Sequence, residues 1–179
     1  FCRGDENTTW GKVRIDLGRE EPFNLKYICI GNENFGQDYF DRYSIFLESF
    51  NEAKEKNPEL YEGLELIYSS GLDDGVSGQH YIDSYEYAKA ELDEMGSTDA
   101  SDFAAATDHH YYNDPSWFYE NADYYDEDNY KRDVENMTDT IYGGGLKVFV
   151  GEYASWSNTL NSALSEAAYM TGLERNGDI

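Results

Sequence analysis

Two glutamates in this 179-residue chain occupy the same kind of position. Residues 25–34, LKYICIGNEN, run through a short apolar stretch and a glycine to Glu33, and residues 146–153, LKVFVGEY, do the same to Glu152. Short apolar runs closed by glycine are typical of strands buried on both faces, which are usually parallel strands covered by helices. Carboxylates at the C-terminal ends of such strands lie where open α/β sheets and barrels keep their active sites. The repetition predicts that the two glutamates form one catalytic pair.

A retaining glycosidase requires two carboxylates that face each other across one active site. Its carboxyl groups lie roughly 5–5.5 Å apart, one donating a proton to the leaving oxygen while the other attacks the sugar. The proton donor must stay protonated near neutral pH, and a neighbouring carboxylate raises its pKa. The alternative is that Glu33 and Glu152 are ordinary strand-end residues that cap loops.

A cluster of histidine and tyrosine, residues 108–112, follows a predicted strand at residues 103–107. Such a cluster suits hydrogen bonds to sugar hydroxyls and to a catalytic carboxylate. The alternatives are a metal site that uses His109 and His110, or a surface loop. Because adjacent residues of an extended chain point to opposite sides, the two histidines are not expected to share one metal. No metal site is predicted.

Other chemistries lack the residues they need. Cys2 and Cys29 show neither a disulfide framework nor metal-ligand spacing, and Cys29 is expected to act as a small hydrophobe inside its strand. The chain has no Gly-x-Ser-x-Gly motif and no glycine-rich phosphate loop. The acidic run at residues 123–128 lacks the glycine and the distal glutamate of a calcium loop. No cofactor is predicted.

The composition restricts the class of partner. Thirteen basic residues stand against 37 acidic ones, a formal net charge of -24. Nucleic acid and anionic membrane surfaces are therefore not expected partners, because phosphate binding requires clustered Lys and Arg. An aromatic content of 16%, including 17 tyrosines, suits an uncharged sugar, since rings stack on its C–H faces, although tyrosines also line helix–sheet contacts. No membrane span and no signal peptide is recognised, and localisation stays open because the chain does not begin with Met.

Strands and helices are predicted to alternate after a loop at residues 1–24. Strands are expected at residues 27–30, 64–68, 103–107 and 146–150, and helices at residues 38–57, 81–95, 130–140 and 158–173. This alternation is typical of right-handed βαβ units and a parallel sheet. Four units leave two architectures open: a small open α/β sheet, or part of a (β/α)8 barrel, which needs about 250 residues.

In its longer motifs the chain resembles the α-L-arabinofuranosidases of glycoside hydrolase family 51. The resemblance covers nearly the whole chain and rests on TTWGKVR, EPFNLKYICIGNEN, DHHYYNDPSWF, VFVGEYA and ALSEAAYMTGLERNGD. It implies an α/β fold of the (β/α)8 TIM-barrel type, of which this chain would hold roughly strands four to seven and their helices. Residues 1–179 would then be a partial catalytic domain, without the first three strands, the last strand and a C-terminal β-sandwich.

The resemblance also implies roles for five residues. Glu33 would be the acid/base and Glu152 the nucleophile. Asn32 would hold the 2-hydroxyl of the sugar. His110 and Tyr111 would contribute to substrate binding, with Tyr111 near the nucleophile.

The implied activity is release of terminal, non-reducing α-L-arabinofuranosyl residues from plant polysaccharides or oligosaccharides by double displacement, with no cofactor. Two alternatives stay open: another retaining barrel glycosidase that acts on xylosides or glucans, and a non-catalytic sugar-binding relative. The isolated chain is expected to be inactive, because an unclosed sheet exposes strand edges that invite aggregation. A homo-oligomer of the full-length protein is left open.

Overall fold

The computed structural model describes residues 1–72, 78–126 and 147–176. Within them, four parallel strands form one sheet in the order β1-β2-β3-β4. The strands are β1 (Tyr27–Ile30), β2 (Glu65–Ser69), β3 (Ala106–Asn113) and β4 (Lys147–Ser155). The helices are α1 (Thr9–Asp16), α2 (Gln37–Lys56), α3 (Pro58–Tyr61), α4 (Gln79–Met95), α5 (Pro115–Glu120) and α6 (Leu160–Arg175).

The alternating pattern of strands and helices is confirmed in the described ranges, and so is the parallel sheet. Helices α2, α4 and α6 each agree with a helix predicted from sequence to within two residues at either end. Apolar residues three and four apart place one face of α2 against the sheet, including Tyr39, Tyr43 and Leu47. The predicted helix at residues 130–140 lies outside the described residues, as does the first residue of the strand predicted at 146–150.

The core lies on one face of the sheet. Alternate strand residues such as Ile28, Leu66 and Val148 pack there against aromatic side chains of the helices. The buried helical residues of this core are Tyr39, Phe40, Tyr43 and Leu47 of α2, Tyr81, Tyr85, Ala88 and Leu92 of α4, Phe118 of α5 and Tyr169 of α6. The opposite face exposes Tyr27, Cys29 and Phe149. Among the described residues, helices therefore cover one side of the sheet and not the other.

The prediction that β1 is buried on both faces is wrong. Ile28 and Ile30 pack against the core, whereas Tyr27 and Cys29 are exposed. The reason is that β1 is an edge strand of the four-stranded sheet and its second face has no covering layer among the described residues. Cys29 is correspondingly an exposed residue with a partly buried thiol, and not the fully buried hydrophobe that was expected.

The N-terminal segment is not the continuous loop that its polar composition predicts. Helix α1 forms there, with Thr8 as its N-cap accepting a hydrogen bond from the Gly11 N–H. Arg14 of this helix is buried and donates to the main-chain carbonyls of Phe1, Gly4 and Glu20. The helix is held by a buried guanidinium that donates to carbonyls outside the helix, and not by a periodic apolar face. Because the sequence shows no hydrophobic period there, the helix was not predicted.

The third strand begins later than predicted. It covers Ala106–Asn113 rather than residues 103–107, so the histidine–tyrosine cluster is part of the strand and does not follow it. Phe103 and Ala104 are buried just before the strand begins. Polar side chains can occupy this buried strand because several of them bond to one another in the interior, as the site geometry below shows. Among the described helices, none is long and apolar enough to span a membrane.

Candidate active site

Glu33 lies in a tight turn at the C-terminal end of β1. Gly31 has φ +98°, a conformation that disfavours side chains, and a Cβ there would meet Asn34 Oδ1 at 2.6 Å. Glu33 itself has φ +53°, a left-handed conformation that is uncommon for a residue other than glycine. Strained residues of this kind cluster at functional sites, where the surrounding structure holds them in place.

The turn is held by bonds within itself and to β2. Asn34 Oδ1 accepts from the Asn32 N–H at 2.9 Å, and the Asn34 N–H donates to Ser69 Oγ at 3.0 Å. Ser69 Oγ donates in return to the Asn34 carbonyl at 3.2 Å. The second strand thus fixes the backbone that carries Glu33. Asn32 is exposed in this turn, directly before Glu33.

His110 of β3 lies between both glutamates. Its Nδ1 is 3.0 Å from Glu33 Oε1 and 3.8 Å from Glu152 Oε2. The ring is buried, whereas the two carboxylates are partly exposed. One imidazole nitrogen therefore lies where the ends of β1 and β4 converge, and the structure brings Glu33 and Glu152 together there. Their catalytic role stays a prediction.

A bulge in β4 turns Glu152 toward this point. The pairing of β3 with β4 shifts between His109 and His110, because His109 pairs with Val150 whereas His110 pairs with Glu152. Gly151 is the extra residue. In a regular strand, residues 150 and 152 would share a face, and Glu152 would point toward the core against which Val150 packs. The bulge at Gly151 reverses that alternation.

Asp108 occupies the space beside Gly151. The Gly151 N–H donates to Asp108 Oδ1 at 3.1 Å, and a Cβ on Gly151 would lie 2.2 Å from that oxygen. The second oxygen, Oδ2, is 3.1 Å from His110 Nε2 and 3.8 Å from Cys29 Sγ. Burial raises the pKa of Asp108, and the charge and hydrogen bond of His110 oppose that rise. Partial burial and the Asp108 charge raise the pKa of the Cys29 thiol to about 11, so it is no ready nucleophile.

The placement of Tyr111 near the nucleophile is wrong, because the tyrosine that reaches Glu152 is Tyr112. The Tyr112 hydroxyl donates to Glu152 Oε2 at 2.7 Å, and this bond raises the tyrosine pKa. Tyr111 is fully buried on the helix-covered face, where its hydroxyl bonds to His109 Nδ1 at 2.8 Å and to Tyr125. Alternation along β3 decides the matter, since residues two apart share a face and residue 112 therefore accompanies His110.

The two adjacent histidines point to opposite sides, as predicted. His109 has no exposed surface and stacks on Tyr81 with ring centroids 4.0 Å apart. Its Nε2 lies 3.4 Å from the Tyr85 hydroxyl, and burial lowers its pKa to about 3. His109 is therefore a neutral core residue that does not reach the glutamates' side of the sheet.

Glu33, His110 and Glu152 form a group whose potential ligand atoms all lie within 4.8 Å of one another. That spacing would admit a cation, but it is equally expected of two carboxylates that share one imidazole. The geometry therefore assigns no ion, and the absence of a metal stays a prediction. Two partly exposed carboxylates this close, with a buried histidine behind them, can divide the roles of proton donor and nucleophile toward one bond.

Asp108, Tyr112 and Gly151 are residues of the candidate site to which the sequence assigned no individual role. The signal for the first two was available, because Asp108, His110 and Tyr112 are spaced by two along one strand and must share a face. That signal required the knowledge that the cluster is a strand. For Gly151 no local signal exists, because its role depends on Asp108 of a neighbouring strand.

Comparison with known proteins identifies the family. Residues 1–132 match the family model described as the Alpha-L-arabinofuranosidase 1 domain. An extracellular exo-alpha-L-arabinofuranosidase of Streptomyces chartreusis is 37% identical over 180 residues, which are all of this chain and 18% of that protein. Alpha-L-arabinofuranosidase 1 of Arabidopsis thaliana is 32% identical over 187 residues, again all of this chain and 21% of the relative.

A solved structure titled "The crystal structure of Arabinofuranosidase" shares the fold, with a TM-score of 0.58 and 20% sequence identity, over 97% of this chain and 36% of that one. The chain spans about a fifth of the length of the curated relatives it matches. Because the family model covers well over half of the residues, the chain belongs to the alpha-L-arabinofuranosidase 1 domain family.

Proposed function

We propose that this chain carries the catalytic carboxylates of a retaining α-L-arabinofuranosidase. Its relatives are named alpha-L-arabinofuranosidases, which makes an arabinose-containing saccharide the expected substrate class. The enzyme would release terminal, non-reducing α-L-arabinofuranosyl residues from such saccharides. No cofactor enters the proposed chemistry.

One observation carries the proposal: Glu33 and Glu152 lie on the same nitrogen of His110, with carboxylate oxygens within 4.8 Å of each other. Retaining glycosidases hold their carboxyl groups about 5–5.5 Å apart, whereas inverting enzymes leave about 6.5–9.5 Å for a water. The short separation supports double displacement over a single inversion.

In the first step Glu152 attacks the anomeric carbon while Glu33 protonates the departing oxygen. The C–O bond to the leaving group breaks and a covalent arabinosyl–Glu152 ester forms. The Tyr112 hydroxyl, which donates to Glu152 Oε2, would orient the attacking carboxylate. Asn32 precedes Glu33 in the strained turn and would hold the sugar 2-hydroxyl, as the family resemblance implies.

In the second step Glu33 is a carboxylate and takes a proton from water, which attacks the anomeric carbon of the ester. Arabinose leaves with its original anomeric configuration, and both carboxyl groups return to their starting states. His110 lies beside both carboxylates, so the same imidazole can interact with Glu33 in its protonated and in its ionised state.

The sheet supports a place for the chain in a (β/α)8 barrel. Its strands follow one another in chain order and its helices cover one face, which is how a barrel wall is built. A doubly wound sheet instead carries helices on both faces and reverses its strand order. We assign β1 to β4 to barrel strands four to seven and residues 1–179 to a partial catalytic domain.

The decisive experiment replaces the proposed nucleophile in the full-length protein. Glu152→Ala should lower kcat for 4-nitrophenyl α-L-arabinofuranoside by about 10⁴-fold or more, because the covalent intermediate cannot form. Sodium azide should restore part of the turnover and yield an arabinosyl azide of inverted configuration, detectable by NMR. The variant Glu52→Ala, which removes an exposed carboxylate of α2, is the matched control and should keep full activity.

Hydrolysis by Glu152→Ala at the unaltered rate would rule out the assignment of the nucleophile. A higher kcat/KM for an aryl xyloside than for the aryl arabinofuranoside would identify the enzyme as a retaining glycosidase of another sugar. Binding of an arabino-oligosaccharide with no product release would identify a non-catalytic relative.

A further inference from the structure

The carboxylate of Asp108 joins the three strands that build the candidate active site. It accepts from the Gly151 N–H of β4, lies 3.1 Å from His110 Nε2 on its own strand β3, and contacts the thiol of Cys29 on β1. The side chain is only 6% exposed. Burying a carboxylate costs free energy unless its oxygens accept hydrogen bonds, so the partners of Asp108 at this junction are the key to its role.

The contact with His110 determines where that ring carries its proton. Oδ1 of Asp108 already accepts from the Gly151 N–H, and an ionised carboxylate only accepts hydrogen bonds. With Asp108 ionised, Nε2 is therefore the protonated nitrogen that faces Asp108 Oδ2. The other nitrogen, Nδ1, then faces Glu33 Oε1 at 3.0 Å with a single proton between the two atoms. That proton lies on Glu33 or on Nδ1, and it is the one that the proposed acid must deliver to the leaving group.

The contact with Gly151 acts on the other glutamate. Asp108 Oδ1 accepts from the backbone N–H at the bulge, where the pairing of β3 with β4 shifts by one residue. That shift places Glu152 beside His110. One side chain therefore supports both carboxylates, one through the imidazole and the other through the backbone.

We propose that Asp108 is a positioning residue that keeps the Nε2 proton of His110 in place, so that the His110–Glu33 pair holds the proton delivered to the leaving group. The inference rests on the proposed function of Glu33 as acid/base. Asp108 does not touch the substrate; it acts through His110.

The test is Asp108→Asn in the full-length protein. The Gly151 N–H needs an acceptor, so the carbonyl oxygen of the new amide stays on it. The bulge is therefore preserved. The amide NH₂ then faces His110 Nε2, which must become an acceptor. The imidazole proton moves to Nδ1 and donates to Glu33, which favours the carboxylate form of Glu33 and removes its acid function.

We expect a loss that depends on the leaving group. The value of kcat/KM, which reports bond cleavage up to the first irreversible step, should fall about 100-fold for benzyl α-L-arabinofuranoside, whose alkoxide needs a proton. For 4-nitrophenyl α-L-arabinofuranoside, whose phenolate leaves unassisted, it should fall less than about 5-fold. Glu33→Ala provides the reference pattern, since it removes the acid itself.

Ser70→Ala is the matched structural control. Ser70 Oγ donates to the main-chain carbonyl of Asp108 at 2.7 Å, so the variant removes a buried bond to the same residue without altering the carboxylate. It should lower Tm but leave the ratio of the two kcat/KM values unchanged. Equal losses for both substrates in Asp108→Asn, or no loss for either, would overturn the proposal while leaving Glu152→Ala to decide the function separately.

A second measurement needs no change at Asp108. ¹⁵N NMR of the histidine-labelled full-length protein, with the His110 signals assigned by their absence in His110→Gln, reports which nitrogen is protonated. A proton on Nε2 at neutral pH is expected. An unprotonated Nε2 would contradict the role of Asp108, whether or not Asp108→Asn folds.

Discussion

The two sides of β3 use the same residue types for opposite purposes. On the helix-covered side His109 and Tyr111 bond to each other in a buried aromatic core. On the other side His110 and Tyr112 bond to the glutamates. A histidine buried among tyrosines is kept neutral, whereas a histidine between carboxylates bonds directly to the groups that are proposed to react. The contrast shows that environment and not residue type separates structural from chemical positions along this strand.

The strongest way to break this contrast is to remove each histidine in turn. In the full-length protein His110→Gln should lower kcat/KM about 10²–10³-fold with little change in Tm, because it removes the group shared by the two carboxylates. His109→Gln should lower Tm by several degrees and leave kcat within about 3-fold, because only core hydrogen bonds and packing are altered. Matching kinetic losses in the two variants would refute the division between the faces.

The bulge in β4 is the next target. Gly151→Ala would place a Cβ 2.2 Å from Asp108 Oδ1 and so displace either the strand or the carboxylate. We expect kcat/KM to fall about 100-fold for both good and poor leaving groups, because the proposed nucleophile is misplaced. Gly96→Ala is a suitable control, because Gly96 ends α4 at φ +68° with nothing near its Cβ position. This variant should lower stability and leave the kinetics unchanged. Unchanged steady-state kinetics in Gly151→Ala would show that the bulge does not position Glu152.

The pH dependence of unfolding sharpens the comparison from the core side. Burial lowers the pKa of His109 to about 3, whereas the unfolded chain restores a value near 6.5. A depressed folded pKa contributes stability that is complete above pH 6.5 and is lost as the pH falls toward 3. The free energy of unfolding should therefore fall by up to about 1.4 kcal/mol per pH unit within that window on account of this group.

Urea denaturation at pH 7 and pH 5 measures this slope, and His109→Gln provides the reference. Subtracting the variant removes the contribution of the many carboxylates, because they titrate in both proteins. The difference between the two proteins should shrink as the pH falls. A difference that is constant with pH would mean that His109 is not held neutral by the core.

The smallest effects come from the tyrosine hydroxyls. Tyr112→Phe should lower kcat about 10-fold and leave Tm unchanged, because its bond to Glu152 is made at an exposed position. Tyr111→Phe should reverse this pattern, with a loss of about 1 kcal/mol in stability and an unchanged kcat, because its hydroxyl is buried with His109. Enzyme kinetics and thermal denaturation of the two variants check both halves.

The three long helices α2, α4 and α6 and most strands could be predicted from the chain itself, since α2 and α4 carry apolar periods that end at Pro58 and Gly96. Helix α1 could not, because what stabilises it is the set of carbonyls around Arg14. The extent of β3 was also missed, because a run of histidine and tyrosine has the polarity of a loop until its members are paired across the interior.

In the candidate site, the repeated context of Glu33 and Glu152 was enough to predict their pairing, and residue spacing was enough to separate His109 from His110. Spacing could not place Tyr111, since whether an odd or an even residue faces the glutamates depends on how the strand lies in the sheet. Spacing groups Asp108 with His110 once the cluster is known to be a strand, but it could not reveal the other partners of Asp108, which come from positions 79 residues before and 43 residues after it.

The sequence by itself therefore determined the order of strands and helices, the parallel sheet and the two carboxylates at strand ends, because these follow from local periodicity and from the short apolar runs. Only the tertiary structure decided which residues of β3 meet those carboxylates and how Glu152 is turned toward them. The physical reason is that the bulge and the buried carboxylate depend on contacts between different strands. The Gly151 N–H finds an acceptor only because Asp108 of the neighbouring strand lies beside it, and neither residue specifies that contact alone.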